Sequence, residues 1–174
     1  MAQAAAQDEG AKPAVSAAAL ARLIALVLPL ALLGGALGSQ YIGGLYPCEM
    51  CYWQRWPHAA AILLAMLAFS GSAESPRSRN FTLGAALAIA ISGIIGVYHA
   101  GVEARIFEGF TQCTALAKGG STADLLNQIT HAPLIRCDQV QWSLFGISMA
   151  GWNAILSLGG AAAILYLTRK GMKG

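Results

Sequence analysis

Cys48, Cys51, Cys113 and Cys137 are the side chains of this 174-residue chain best suited to chemistry. The first two form Cys48-Glu49-Met50-Cys51, a C-x-x-C preceded by Pro47. One helical turn brings two such sulfurs within disulfide reach. A first thiol near a helix N-terminus gains thiolate character, and thiolate is the attacking form in disulfide exchange. Arg55, four residues beyond Cys51 and on the same helical face, adds positive charge there.

Two other uses of four cysteines have to be weighed. Zinc sites pair C-x-x-C knuckles or add His at short spacing, whereas Cys113 and Cys137 stand 24 positions apart, so the expectation is no metal. A Cys113–Cys137 bridge could simply clamp a loop, worth about 3 kcal/mol in the loop-closure account. A bridge across Cys48–Cys51 restricts little of the unfolded chain, which favours a redox couple at that pair. Arg55 also has a plain reading, a long side chain snorkelling to lipid headgroups.

The elements that position these residues follow from charge. Only 11% of the chain is charged against 56% apolar, which excludes an ordinary soluble domain. No charge falls in 23–48, 56–73, 80–102 or 139–168. About 20 apolar residues cross a bilayer as a helix, so four spans are expected, near 20–39, 54–72, 81–100 and 145–167, with 56–73 the marginal window. These windows lack strand-like alternation, and open strands would leave backbone groups unpaired in lipid. The fold class expected is an all-α membrane protein, a four-transmembrane-helix bundle forming one domain over 17–170 behind a disordered cytoplasmic tail, 1–16. A cleaved signal peptide ending near Ala36-Leu37-Gly38 is the alternative for the N-terminus; the apolar run Leu23 to Tyr41 is long for one.

Basic residues set the orientation. Lys12, Arg22, Arg77, Arg79, Arg169, Lys170 and Lys173 fall on one side, predicting both termini inside. The connections 40–53 and 101–144 then face outside and hold all four cysteines, where disulfides persist. Within the second, Leu125, Leu126 and Ile129 share a helical face behind Gly119-Gly120-Ser121-Thr122, which suggests a short surface helix on the membrane or on the bundle top. Trp53, Trp56, Trp142 and Trp152 gather near the outer border as an aromatic belt, with Trp56 allowed some pocket contact.

Two dithiols can only pass a disulfide between themselves, so a relay needs a terminal acceptor. There is no nucleotide or flavin fingerprint, and nothing points to nucleic acid. A lipid quinone dissolved in the bilayer is the remaining acceptor, with Arg55 placed to stabilise negative charge developing on its oxygen.

At this point the chain resembles the bacterial disulfide bond formation protein B (DsbB) family over about residues 20–168. The resemblance is carried by Pro47-Cys48-Glu49-Met50-Cys51, Gln54-Arg55 and Tyr98-His99-Ala100-Gly101-Val102-Glu103. It continues through Cys137-Asp138-Gln139-Val140-Gln141-Trp142-Ser143-Leu144-Phe145-Gly146 and Ser148-Met149-Ala150-Gly151-Trp152-Asn153. It implies an inner-membrane enzyme that reoxidises a periplasmic DsbA-like thiol oxidase and reduces ubiquinone or menaquinone. Cys113 would form the mixed disulfide with that partner, Cys137 would exchange with Cys48, and Cys51 would attack the quinone as a thiolate. Arg55 matches the family's quinone-side arginine, and His99 resembles a histidine near its quinone pocket. His99 and Glu103, four apart, also suit a plain pair at a helix end. Gln54 departs from relatives that carry an acid there.

Two rivals stand beside this reading. A vitamin K epoxide reductase-like enzyme would carry its membrane-border C-x-x-C in the last span, where this chain has no Cys. A non-enzymatic scaffold with structural disulfides would tolerate loss of Cys48 and Cys51.

Overall fold

A computed structural model describes residues 15–109, 121–123, 126 and 135–172. The expected tail up to residue 14, Cys113, and Leu125 and Ile129 of the expected surface helix lie outside the described residues.

Four helices carry the chain: α1 (Ala17–Tyr41), α2 (Glu49–Ala68), α3 (Pro76–Glu103) and α4 (Met149–Gly171). Each begins at a side chain that satisfies a helix-terminal N–H. Ser16 accepts from Ala19, Cys48 from Cys51, Ser75 from Ser78 and Ser148 from Gly151. Pro76 adds a fixed φ in the first turn of α3. Ser16 thus belongs to the fold, and its Oγ also reaches Glu74 Oε1 at 2.7 Å.

Between α3 and α4 the chain makes a two-stranded antiparallel ribbon, β1 (Ser143–Leu144) and β2 (Ile147–Ser148). Phe145 and Gly146 join them with φ of 53° and 78°, the left-handed pair a two-residue hairpin turn requires. The last helix therefore starts at Met149 rather than near 145, because Ser143–Ser148 are spent on the turn and the cap.

Helices α1, α3 and α4 are long and apolar enough to cross a membrane; α2, with Glu49, Gln54, Arg55 and His58 in its first half, is not among them. Each helix packs on two neighbours, α2 and α4 on both α1 and α3, while α1 and α3 face each other across the diagonal. The contact surfaces are made of small residues. Ala21, Ala25, Ala61, Ala65, Ala85, Ala86 and Ala161 are buried with Ile89 and Ile164. Leu23, Val27, Leu63, Leu87, Ile94 and Ile155 point outward. A water-soluble bundle has the opposite arrangement; small residues between helices and large apolar ones outside are what a lipid solvent selects.

The two ends of the bundle differ in character. At one end Arg22 Nη1 donates to Gly71 O at 2.9 Å with its guanidinium over Phe69, Ser16 meets Glu74, and Arg79 reaches Met172. The described cysteines are at the other end, where the head of α2, the end of α3 and the chain around 137 pack together.

Close approach of α3 to α4 depends on Gly96. A Cβ there would stand 3.1 Å from Ala150 O, Ala154 N and Asn153 Nδ2, two of them backbone atoms that cannot rotate away. Gly96→Ala is expected to cost about 1–3 kcal/mol by overpacking, seen as a lower thermal midpoint in detergent, whereas Gly159→Ala, which meets nothing within 4 Å, should leave the midpoint within error.

Candidate functional site

Pro47 ends the α1–α2 connection, and Cys48 follows in extended backbone as the N-cap of α2. Its sulfur accepts the Cys51 N–H at 3.3 Å and lies 2.9 Å from Cys51 Sγ. Neither of these, nor Cys137, is in a disulfide. Cys48 and Cys137 are both buried, in one cluster with Met50 and Val102, against which Cys51, Tyr98 and Ile135 pack.

The two thiols of the pair are not equivalent. Cys51 sits below its ordinary value, first because the Cys48 thiol donates a hydrogen bond to it, with the Arg55 charge acting in the same direction and burial opposing. Cys48 is pushed well above the ordinary thiol range, first by holding its proton toward Cys51 and then by burial. The helix N-terminus alone favours Cys48 as the thiolate, whereas the contact between the sulfurs and the Arg55 charge favour Cys51, the thiol that the family resemblance implies. At the cap, Cys48 Sγ accepts one backbone N–H and shares a hydrogen bond with its neighbour.

Arg55 is tied to α1. Its Nη1 donates to Gln40 Oε1 at 2.5 Å and its Nη2 to Ala36 O at 3.2 Å, tying α2 to the end of α1, and the guanidinium lies over the Tyr52 ring. Its Nε is buried and has no hydrogen-bond partner among the described residues. His99, on α3, places Nε2 3.5 Å from Cys48 Sγ and 3.8 Å from Glu103 Oε1. One ring thus stands both at Glu103, as the helix-end reading has it, and next to the Cys48 sulfur. Gly101 leaves room for Phe107 to fold back and stack on Tyr98; a Cβ at 101 would collide with that ring.

A cavity of about 700 Å³ lies beside these groups, lined by Cys48, Cys51, Arg55, His99, Trp142 and Trp152 among others. Its α1 wall is apolar, with Ala31, Leu32, Leu33 and Ala36. A flat conjugated ring with polar oxygens fits such a space: apolar walls for the ring, and Arg55 on the border for an oxygen. Trp152 is held by its Nε1 donating to Leu144 O at 3.1 Å. The aromatic-belt expectation thus needs revising for Trp142 and Trp152, which line the cavity, and for Trp56, which is 74% exposed and has no part in it.

Deeper in the bundle lies a polar network that a survey of charges misses. Asn153 Nδ2 donates to Gln54 Oε1 at 2.7 Å, Gln54 Nε2 meets His99 Nδ1 at 2.8 Å, and Ser92 Oγ donates to Gln54 O at 2.9 Å. His58 Nε2 lies 2.9 Å from Asn153 Oδ1, and Ser157 Oγ donates to the same oxygen at 3.0 Å. His58, Ser92, His99, Asn153 and Ser157 lie inside charge-free windows, where their polarity within an apolar run was the available signal, and Gln54 stands just before Arg55.

Comparison with known proteins decides the family. The model of the family described as "Disulfide bond formation protein DsbB" matches residues 18–167. The chain belongs to the DsbB family. It is similar to disulfide bond formation protein B of Verminephrobacter eiseniae, 31% identical over 166 residues and 88% of each chain. The protein of that name from a Polaromonas species is 30% identical over 167 residues, 86% of this chain and 93% of its own. Disulfide bond formation protein B 2 of Pseudomonas syringae pv. syringae is 27% identical over 139 residues, 78% of this chain and 79% of its own. No solved structure matches the chain.

Cys48, Cys51 and His99 also offer ligand atoms within 4.8 Å of one another, a spacing a thiophilic metal ion accepts. Oxidising the pair removes two of the three donors, so metal binding and disulfide chemistry there exclude one another.

In the reduced protein iodoacetamide should label Cys51 at a lower pH than Cys48, and Cys48→Ala should shift Cys51 labelling to higher pH by removing its hydrogen-bond donor. Peptide mass spectrometry over a pH series checks this, and labelling of Cys48 first would contradict it.

Proposed function

We propose that this DsbB-family chain is a membrane protein-disulfide oxidoreductase that reoxidises a periplasmic thioredoxin-like dithiol oxidase of the DsbA type and passes the electrons to a membrane quinone, ubiquinone or menaquinone. The observation that carries the reading is the inequality of the Cys48–Cys51 pair beside the cavity. Both sulfurs line an apolar space with a cation at its border; Cys51, held below its ordinary value, has the Arg55 charge acting on it, and Cys48 is buried with Cys137.

The exchange sequence that fits this arrangement has Cys113 take the mixed disulfide with the partner, which frees Cys137. Cys137 then attacks Cys48, forming a transient bridge between the two outer loops, and Cys51 leaves as the thiolate. That order suits the packing, because Cys48 and Cys137 are both buried in one cluster, where Cys137 can reach Cys48. The quinone supplies a two-electron acceptor when bound. Cys51 presents its thiolate to the cavity, and Arg55 offers positive charge where an oxygen gains negative charge. The apolar walls exclude water from the exchange.

The topology proposed with this function has four spans, α2 serving as the fourth from about Gln54. The Arg-rich end is cytoplasmic with both termini, and the cysteine end faces the periplasm of the bacterial inner membrane, with a short surface helix in the second outer loop. The distribution of Arg22, Arg77, Arg79, Arg169 and Lys170 supports that sidedness.

The test is direct: the purified protein, a reduced thioredoxin-like dithiol protein and a soluble quinone, followed by quinone absorbance. Cys51→Ala and Cys113→Ala should each lower turnover by more than about a hundredfold; unchanged turnover in both would leave a scaffold as the better reading. Arg55→Ala should raise the quinone KM about tenfold, equivalent to about 1.4 kcal/mol, with single-turnover oxidation of the partner by Cys113–Cys137 unaffected. An unchanged KM would reduce Arg55 to an α1–α2 strut.

A further inference from the structure

The buried network has a direction, and that direction ends on the redox pair. Gln54 Nε2 donates to Met50 O at 3.2 Å, and Asn153 Nδ2 donates to Ser92 O at 3.2 Å. Backbone carbonyls only accept, so they fix which end of each amide is nitrogen. Gln54 Oε1 therefore receives the Asn153 N–H, and the remaining Gln54 N–H is spent on His99 Nδ1. Turning the Gln54 amide over would set its oxygen against Met50 O and its NH₂ against the NH₂ of Asn153. Nδ1 of His99 must present a lone pair, which puts the proton of the neutral ring on Nε2. The far side of the ring agrees: Nε2 faces Cys48 Sγ and Glu103 Oε1, both acceptors when ionised.

We infer that Gln54 is a positioning residue for disulfide exchange: by donating to His99 Nδ1 it fixes the ring as the Nε2–H tautomer, whose N–H is aimed at the Cys48 sulfur. The inference rests on the reading of Cys48 as a relay thiol. When a thiolate attacks Cys137 in a Cys48–Cys137 bridge, a new S–S bond forms at Cys137 and the old one breaks. Its electron pair goes to Cys48, which leaves as thiolate. One disulfide replaces another, no oxidant is consumed, and the proton stays on His99, whose N–H steadies the leaving sulfur by a charge-assisted hydrogen bond. An acid at position 54 makes a different site. Its carboxylate only accepts, so it calls for a proton on Nδ1, and a neutral ring then turns a lone pair toward Cys48. Gln at this position makes the histidine a donor to the thiol without a second proton.

The tautomer can be read without quinone or partner, by nitrogen NMR of the full-length protein in detergent with labelled histidine, the His99 signals assigned by their loss in His99→Gln. The wild type should carry its proton on Nε2. At alkaline pH, where the ring is neutral, Gln54→Glu should move the proton to Nδ1. A Cys48–Cys137 bridge trapped in a Cys51→Ala, Cys113→Ala background should then be cleaved by a small dithiol about tenfold more slowly when Gln54→Glu is added than when Gln54 is kept. A wild-type ring protonated on Nδ1 would overturn the inference whatever the variants do, and so would equal cleavage rates with the proton moved. If no Cys48–Cys137 bridge can be trapped, the relay reading fails, and the NMR result still decides the tautomer.

Discussion

The hydrogen bond from Asn153 to Gln54 ties the first turns of α4 to the head of α2, and much of the cysteine end depends on it. In a bundle whose contact surfaces are alanine, apolar packing sets the spacing of the helices but discriminates weakly between rotations of one against another. An amide pair inside such a core has few alternatives, because an unpaired N–H or C=O there costs about 1–3 kcal/mol. The bonds that join Gln54, Asn153, Ser92, His58 and Ser157 favour one rotational setting over its neighbours, and in that setting Gln54 holds His99 beside Cys48. Arg55, one residue on, reaches the opposite way to α1. The head of α2 is thus held from three sides.

That constraint explains why one C-x-x-C can have two different sulfurs. Cys48 is the helix cap, facing the chain around Cys137 and the ring of His99; Cys51 is one turn in, facing the cavity and the charge of Arg55. A pair exposed at a free helix end would be distinguished by the helix dipole alone, which favours the first thiol. Here the hydrogen bond between the sulfurs and the flanking charge reverse that preference.

Much of the architecture was legible in the sequence because charge is so scarce. The gaps between charged residues locate each helix but not its ends, which the caps set, as at Ser148, where a hairpin takes the first residues of the expected last span. That hairpin was illegible because two-residue strands carry no periodicity; only the left-handed pair Phe145-Gly146 marks it. At the site, Cys48, Cys51 and Arg55 were singled out by type and spacing and His99 by the family resemblance, and the structure brings them together. The roles of Gln54, His58, Ser92 and Asn153 were missed, since uncharged polar residues look like ordinary members of an apolar run until their partners on other helices are known. Gln54 was noticed as a departure from relatives, but its meaning depended on a backbone carbonyl, Met50 O, that no pattern displays.

The central claim is that the cavity beside Cys51 is where electrons leave the chain for a quinone. Photolabelling with an azido-quinone in liposomes, followed by peptide mapping, tests it most directly. The account predicts label on the 31–36 wall of α1 and on 149–152 at the head of α4, suppressed by excess unlabelled quinone and weakened by Arg55→Ala. Label spread over the outward faces around Leu23, Leu87 and Ile155, indifferent to competitor, would contradict it.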